Sequence, residues 1–179
     1  MFSPLNLKQW VADHRHLLKP PVGNKAVWVD ERETIVMIVG GPNARNDYHV
    51  QETEEFFYQV EGDIILRIID PATSKPKDLV IREGEIYLLP KGVPHSPQRS
   101  AGTVGLVIEQ KRPEGTFDRL RWYCDACHQQ VHEATFTLEN IAVDLKRIME
   151  EFWTNDALRT CACGAKVEQP GEAQPPAGA

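Results

Sequence analysis

His49, Glu55 and His95 are the residues of this chain whose types and spacing most readily do chemistry. Glycines and prolines frame them. One frame reads His49-x5-Glu55-x6-Gly62, inside YHVQETEEFFYQVEG; the other reads Gly84-x5-Pro90-x-Gly92-x2-His95, inside GEIYLLPKGVPH. Two imidazoles and a carboxylate, each beside a turn between strands, make a facial metal triad. Such a triad leaves about three of six coordination positions open, the arrangement of non-haem Fe(II) oxygenases. Taken singly, each histidine reads as well as a hydrogen-bonded core or surface residue; the joint spacing is what points to metal. A mixed nitrogen and oxygen set also accepts other divalent ions, Zn(II) among them, which cannot do one-electron dioxygen chemistry.

Further polar residues lie where a ligand would approach. Arg45, four residues before His49, and Arg99, four after His95, suit bidentate capture of a carboxylate. Glu109 ends the apolar run TVGLVIE, where a buried carboxylate is costly without a partner. Beside the arginines it could accept from an amine or hydroxyl. Two surface arginines and a structural ion pair explain the same spacing equally well. Asp47, two residues before His49, is either an acceptor that orients a ligand histidine or a turn aspartate.

The four cysteines form two pairs, Cys124-x2-Cys127 and Cys161-x-Cys163. Four thiolates around one ion favour tetrahedral Zn or rubredoxin-like Fe. The short C-x-C loop strains such a site, and His128 or His132 could replace one thiolate. Free buried cysteines are the bland alternative. CDACH also matches a c-type haem attachment pattern, which would need export and would leave the second pair unexplained.

These side chains need a scaffold of strands to converge. Between residues 27 and 109, apolar runs at about 33–39, 54–60, 64–69, 79–81, 86–89 and 103–109 are broken by Gly-Pro-Asn, Glu-Gly-Asp, Asp-Pro-Ala and Glu-Gly-Glu. Many short strands at close spacing predict a mainly β chain with an antiparallel barrel or sandwich. Asn6 caps a helix to about Leu18, with Trp10, Val11, His14 and Leu17 on one face and Pro20-Pro21 as its stop. Residues 118–137 read as a hairpin. Residues 139–153 read as a helix whose stripe of Ile141, Leu145, Ile148, Met149 and Phe152 docks on the barrel or on a second subunit. The expected division is 1–115 for the barrel with its N-terminal helix and 116–167 for a cysteine metal-binding appendage with the C-terminal helix. The tail, 168–179, has little to bury and is expected to be disordered.

Composition narrows the function. The chain has 179 residues, 41% of them hydrophobic, and a formal net charge of -6. That is enough for a real core and argues against a nucleic-acid surface. No apolar run reaches membrane-spanning length, and the first residues lack the pattern of a signal peptide, so a cytoplasmic protein is expected.

The two frames resemble the two-part cupin signature, G-x5-H-x-H-x3,4-E-x6-G and G-x5-P-x-G-x2-H-x3-N. Three positions depart from it: Gly41 is displaced, Gln51 stands at the second His, and Arg99 stands at the final Asn. The stretches HLLKPPVGN, MIVGGPNARNDYH, EEFFYQVEG, YLLPKGVPHSPQR, GLVIEQKRP and RWYCDAC more specifically resemble the 3-hydroxyanthranilate 3,4-dioxygenases, in the form with an additional cysteine metal site. That form usually has C-x2-C in both pairs. The resemblance implies a cupin-type antiparallel β-barrel, or jelly roll, with His49, Glu55 and His95 holding Fe(II). It implies that Arg45 and Arg99 bind the carboxylate of 3-hydroxyanthranilate and that Glu109 accepts from its ring substituents. Asn24 falls in a segment that closes near the pocket. Cys124, Cys127, Cys161 and Cys163 would hold a second Fe or Zn. The implied reaction is extradiol-type ring opening by O2 to 2-amino-3-carboxymuconate 6-semialdehyde, which cyclises to quinolinate, by a homodimer. Another metal-dependent cupin dioxygenase or isomerase, or a binding cupin without turnover, are the alternatives.

Overall fold

Short strands, many of them runs of β-branched and aromatic residues, make most of the regular structure. The structure is a computed structural model that describes residues 3–19, 23–29, 33–137 and 141–177, the side chains of 141–143 excepted. Its strands are β1 (Asn24–Ala26), β2 (Thr34–Gly40), β3 (Asp47–Val50), β4 (Glu55–Glu61), β5 (Ile64–Asp70), β6 (Lys75–Ile81), β7 (Ile86–Leu89), β8 (His95–Gln98), β9 (Val104–Gln110), β10 (Asp118–Tyr123) and β11 (Gln130–Phe136). The six apolar runs correspond to β2, β4, β5, β6, β7 and β9, and the expected hairpin is β10–β11.

All pairings are antiparallel and fall into two sheets. One has the order β1-β2-β9-β4-β7; the other has the order β11-β10-β3-β8-β5-β6. Met37, Phe57, Leu89 and Val107 of the first sheet meet Ile64, Leu66, Ile68 and Ile81 of the second in one buried cluster. This is the expected jelly roll, with the core between its sheets. Strand β4 alternates strictly at its start, with Glu55, Phe57 and Gln59 buried and Phe56 and Tyr58 less so. Strand β9 likewise turns Gly105, Val107 and Glu109 inward. The same inward rows therefore carry both the apolar core and the polar residues.

Helix α1 (Leu7–His14) opens at Asn6, whose side chain accepts from the Gln9 N–H at 3.0 Å. A 3-10 turn, Arg15–Leu17, ends it near the expected place, and Pro20-Pro21 lies outside the described residues. Val11 and Leu18 pack with Ile38 and Val104 on the outside of the first sheet.

Helix α2 (Ile141–Thr154) docks within the chain. Ile148 and Phe152, flanked by Leu145 and Met149, bury against Leu120, Trp122, Phe136 and Val167. Phe152 stacks on Trp122 with ring centroids 4.0 Å apart. The side chain of Ile141 lies outside the described residues. A short helix α3 (Asp156–Arg159) follows, and residues 168–177 have neither helix nor strand. Among the described residues no helix is long and apolar enough to cross a membrane.

Phe152→Ala removes the stacked ring from this second cluster and is expected to cost about 3–5 kcal/mol in chemical denaturation. The mass in solution should stay unchanged, because the stripe is covered by the chain's own hairpin. A change of mass without loss of stability would place the stripe at a subunit interface instead.

Candidate metal and ligand site

The triad closes across the gap between the sheets. His49 on β3 and His95 on β8 are register partners in one sheet, and Glu55 opens β4 in the other. The histidines stand in short strands beside turns, His95 as the first residue of β8. These strands, DYHV and HSPQ, escape the periodicity test because they are four residues long and largely buried on both faces. Tyr48, for example, packs edge-on against Tyr123.

Ligating atoms of His49, Glu55 and His95 all lie within 4.8 Å of one another, and all three side chains are buried. His95 Nε2 is 2.8 Å from Glu55 Oε2. His95 Nδ1 donates to the Val93 carbonyl at 3.1 Å, which frees Nε2. His49 Nε2 faces Asp118 Oδ2 at 2.7 Å, so it donates there and its other nitrogen keeps the lone pair. Gln51 Nε2 donates to Glu55 Oε2 at 3.1 Å.

Charge follows the same geometry. Burial holds His49 below the usual histidine value, in the neutral form that binds metals. Burial alone would lower His95 and raise Glu55, but their mutual attraction outweighs it, so His95 is raised and Glu55 lowered. A shared proton holds that pair together; a dication would do so by its own charge. The donor set fits a divalent metal.

Asp118 and Arg112 belong to this site and were not foreseen. Asp118, not Asp47, orients His49. Asp47 is engaged by Arg45, which forms an ion pair with it and donates from Nε to Oδ1 at 3.1 Å. Asp118 also accepts from Arg112 Nε at 2.9 Å and Nη2 at 3.0 Å. Burial pushes Asp118 up, but the His49 and Arg112 hydrogen bonds outweigh it and hold the carboxyl below its usual value. Arg112 Nη1 lies 2.7 Å from Glu109 Oε2, so the buried carboxylate of Glu109 has its partner. That partner was discoverable: a carboxylate ending an apolar strand needs a cation, and Arg112 follows three residues later. Burial, reinforced by the charge of Glu55 and opposed by Arg112, raises Glu109 to about 7.

Arg99 is the exception to this pairing. It is 1% exposed, and its Nη1 donates to Gln59 Oε1 at 3.1 Å. Among the described residues it forms no ion pair. Burial lowers it to about 10, so it remains a cation at neutral pH. The guanidinium rests over Gly105, where a Cβ would meet Nη1 at 2.7 Å and Nη2 at 2.8 Å. Gln59 and Gly105 are register partners, as are Glu55 and Glu109. The two polar levels are four residues apart on each strand, about 13 Å between backbone positions, with Phe57 and Val107 between them. Asn24 stands on edge strand β1, separated from β9 by β2, away from the triad.

The cysteines form a second cluster. Cys124 Sγ is 3.7 Å from Cys163 Sγ and Cys127 Sγ is 3.6 Å from Cys161 Sγ, with all four within 4.8 Å. A tetrahedral site with Zn–S of about 2.3 Å requires S–S separations of about 3.8 Å. The shortened C-x-C pair therefore completes a four-sulfur set. His132 is engaged elsewhere, tilted over Trp122 at 5.7 Å.

Gly105→Ala should displace the Arg99 guanidinium, a flexible side-chain end, rather than the strand. We expect binding of a carboxylated aromatic ligand to weaken about tenfold or more, the loss of a charge-assisted contact, with metal content and melting temperature little changed. Arg99→Ala should do the same. Equal loss of metal and ligand binding would argue against an anion anchor.

Residues 1–153 match the family described as 3-hydroxyanthranilic acid dioxygenase. A 3-hydroxyanthranilate 3,4-dioxygenase of Xanthomonas campestris pv. campestris (strain 8004) is 53% identical over 165 residues, 92% of each chain. One of Neurospora crassa is 48% identical over 178 residues, 97% of each chain. Among solved structures, a cupin-2 domain containing protein from Shewanella frigidimarina is 20% identical with a TM-score of 0.47, covering 60% of this chain and 94% of the other. A match to the family over residues 1–153, with relatives near half identity along almost the whole length, leaves one assignment: this chain belongs to the 3-hydroxyanthranilic acid dioxygenase family.

Proposed function

We propose that the chain opens the ring of 3-hydroxyanthranilate with O2, inserting both oxygen atoms to give 2-amino-3-carboxymuconate 6-semialdehyde, the precursor of quinolinate. The observation that carries this reading is the buried Arg99 guanidinium, which has no carboxylate partner among the described residues, in the same interior as the His49, Glu55 and His95 donors. A buried cation without a carboxylate partner is costly, and a substrate carboxylate would complete it. An aromatic ring would then lie between the level of Arg99 and that of Glu55 and Glu109, against Phe57 and Val107.

His49, Glu55 and His95 would hold Fe(II). When bound, that ion supplies the one-electron chemistry with dioxygen that a side chain cannot. Arg99 binds the substrate carboxylate, and Arg45, though it also serves Asp47, adds a second positive charge. Glu109 accepts a hydrogen bond from the hydroxyl or amine and can take the hydroxyl proton when ionised. Asn24 acts at the pocket rim. Fixing the ring at two points replaces a chance encounter by a set orientation.

The four-cysteine cluster would hold Fe or Zn in a structural role. It would anchor segment 116–167, whose apolar cluster is separate from that of the barrel, with 168–179 as a tail. Four free cysteines are consistent with a cytoplasmic setting. A homodimer is supported by Ile86 and Leu88, exposed on edge strand β7. Chelation of the cluster's metal is expected to lower the melting temperature and loosen the hairpin first, as read by hydrogen exchange. Unchanged fold and assembly after chelation would rule out the structural role.

The decisive assay is oxygen uptake with 3-hydroxyanthranilate after anaerobic Fe(II) reconstitution, with growth of the semialdehyde absorbance band. Binding without uptake would favour a non-catalytic cupin, and uptake only with substrates lacking the carboxylate would favour a different dioxygenase. Glu109, raised to about 7 by burial, loses its basic form as pH falls. The kcat/KM value should therefore drop on the acid side, with a limb at or below about 7 since a nearby dication lowers a carboxyl pKa. In Glu109→Gln that limb should vanish along with most of kcat; a persisting limb would assign it to another group.

A further inference from the structure

We propose that Arg112 is a positioning residue for ring opening: its guanidinium holds Glu109 on the substrate side and, through Asp118, the His49 ring on the metal side in a single frame. The substrate half of this statement rests on the function proposed above; the metal half does not.

Geometry carries the inference. Nη1 of Arg112 contacts Glu109 Oε2 at 2.7 Å, while Nε and Nη2 reach Asp118 at 2.9 Å and 3.0 Å. The Asp118 oxygen that accepts from Nη2, Oδ2, is also the one 2.7 Å from His49 Nε2. The Asp118 side chain is 1% exposed and that of Arg112 is 10% exposed. Thus one rigid planar guanidinium donates hydrogen bonds to the buried Asp118 carboxylate and lies in ion-pair contact with the buried Glu109 carboxylate. A carboxylate beyond a ligating imidazole sets the ring's orientation and tautomer. Here that carboxylate is itself held on its other side by Arg112.

Position in the fold explains why the link matters. Glu109 stands near the end of β9 in one sheet, while Asp118 opens β10 in the other. Leu120 of β10 faces His49 of β3 in register. Arg112 lies in the segment that crosses between the sheets and pins its own start through Nη1 to the Gln110 carbonyl at 3.1 Å. The triad likewise draws Glu55 from the first sheet and both histidines from the second. Arg112 therefore fixes the spacing of the two sheets beside the metal donors. Lysine keeps the charge but has one ammonium where Arg112 uses three separate nitrogens, so it cannot hold both carboxylates in this geometry.

The experiment uses Arg112→Lys, which keeps the buried charge, together with Asp118→Asn, the double variant, and Arg67→Ala as a surface control on an exposed pair with Asp78. Each is measured for Fe(II) affinity by anaerobic chelator competition, for kcat and KM with 3-hydroxyanthranilate, and for melting temperature. Asp118→Asn should weaken Fe(II) binding about 10–100-fold. Arg112→Lys should weaken it in the same direction and lower kcat about tenfold or more, with KM changed much less because Arg99 is intact. The double variant should bind Fe(II) no more weakly than Asp118→Asn alone within about a factor of three, since both act through one contact. Wild-type Fe(II) affinity and kcat in Arg112→Lys, with only melting temperature reduced, would overturn the proposal, as would additive losses of affinity. If the wild type consumes no oxygen with 3-hydroxyanthranilate, the proposed function fails by itself. The Fe(II) measurements then still decide whether Arg112 acts on His49.

Discussion

Charge buried between two β-sheets has to be paired across the gap, and that constraint shapes everything around the site. Glu55 of one sheet meets His95 of the other at 2.8 Å, and Glu109 is joined to Asp118 and His49 through Arg112. Ion pairs of this kind add little net stability, because desolvation offsets their attraction. Their value is conformational: a shift of either sheet would leave several buried charges without partners, each costly. The polar seam therefore fixes how the sheets sit on each other more sharply than the apolar contacts could. Among the described residues Arg99 has Gln59 as its side-chain hydrogen-bond partner and no ion pair, and it stands outside this closed set.

Stability has to come from elsewhere, and strand alternation supplies it. Phe57 lies between Glu55 and Gln59 on the inward face of β4, and Val107 lies between Gly105 and Glu109 on that of β9. Each strand thus spends some inward positions on core and some on polar groups. The apolar cluster reaching Ile64, Leu66 and Ile81 offsets the polar end. Gly105 shows the cost directly: it forgoes a side chain on a buried face so that Arg99 can lie flat against the strand.

This division explains what could be read in the sequence. His49, Glu55 and His95 were legible because each lies a fixed number of residues from a glycine or proline turn, and turn chemistry is local. The longer strands were legible from their apolar runs. Strands β3 and β8 were not, being short and buried on two faces, so neither alternation nor a long run marks them. Asp118 lies 69 residues from His49 in sequence, and no local rule joins them. Asp47, two residues away on the same strand, shares a face with His49 by alternation, so alternation alone favours it. The nearby cation Arg45 took its carboxylate instead. The jelly-roll pairing of β10 with β3, which makes Asp118 the partner, is a tertiary fact.

The same pairing connects the His49, Glu55 and His95 cluster with the four-cysteine cluster. Strand β10 begins at Asp118, which orients His49, and its last residue precedes Cys124. Six residues of strand span about 20 Å, too far for the cysteine cluster to touch the triad. Strand β10 nonetheless runs from one cluster to the other. The sulfurs of Cys124 and Cys127 lie within 4.8 Å of those of Cys161 and Cys163, which follow α2 and α3, and the turn between the last pair and Val167 closes with Cys161 accepting from the Gly164 N–H at 2.9 Å and donating to the Ala165 carbonyl at 2.8 Å. Gly164 takes a positive φ of 89° in that turn, a conformation that suits glycine. Val167 then enters the cluster of Trp122 and Phe152. One end of β10 thus leads into the four-sulfur cluster and the aromatic stack, while the other presents a carboxylate to the His49 imidazole. Strand β10 is paired on both sides, by β3 and by the edge strand β11, and this pairing holds Asp118 to the position that His49 requires.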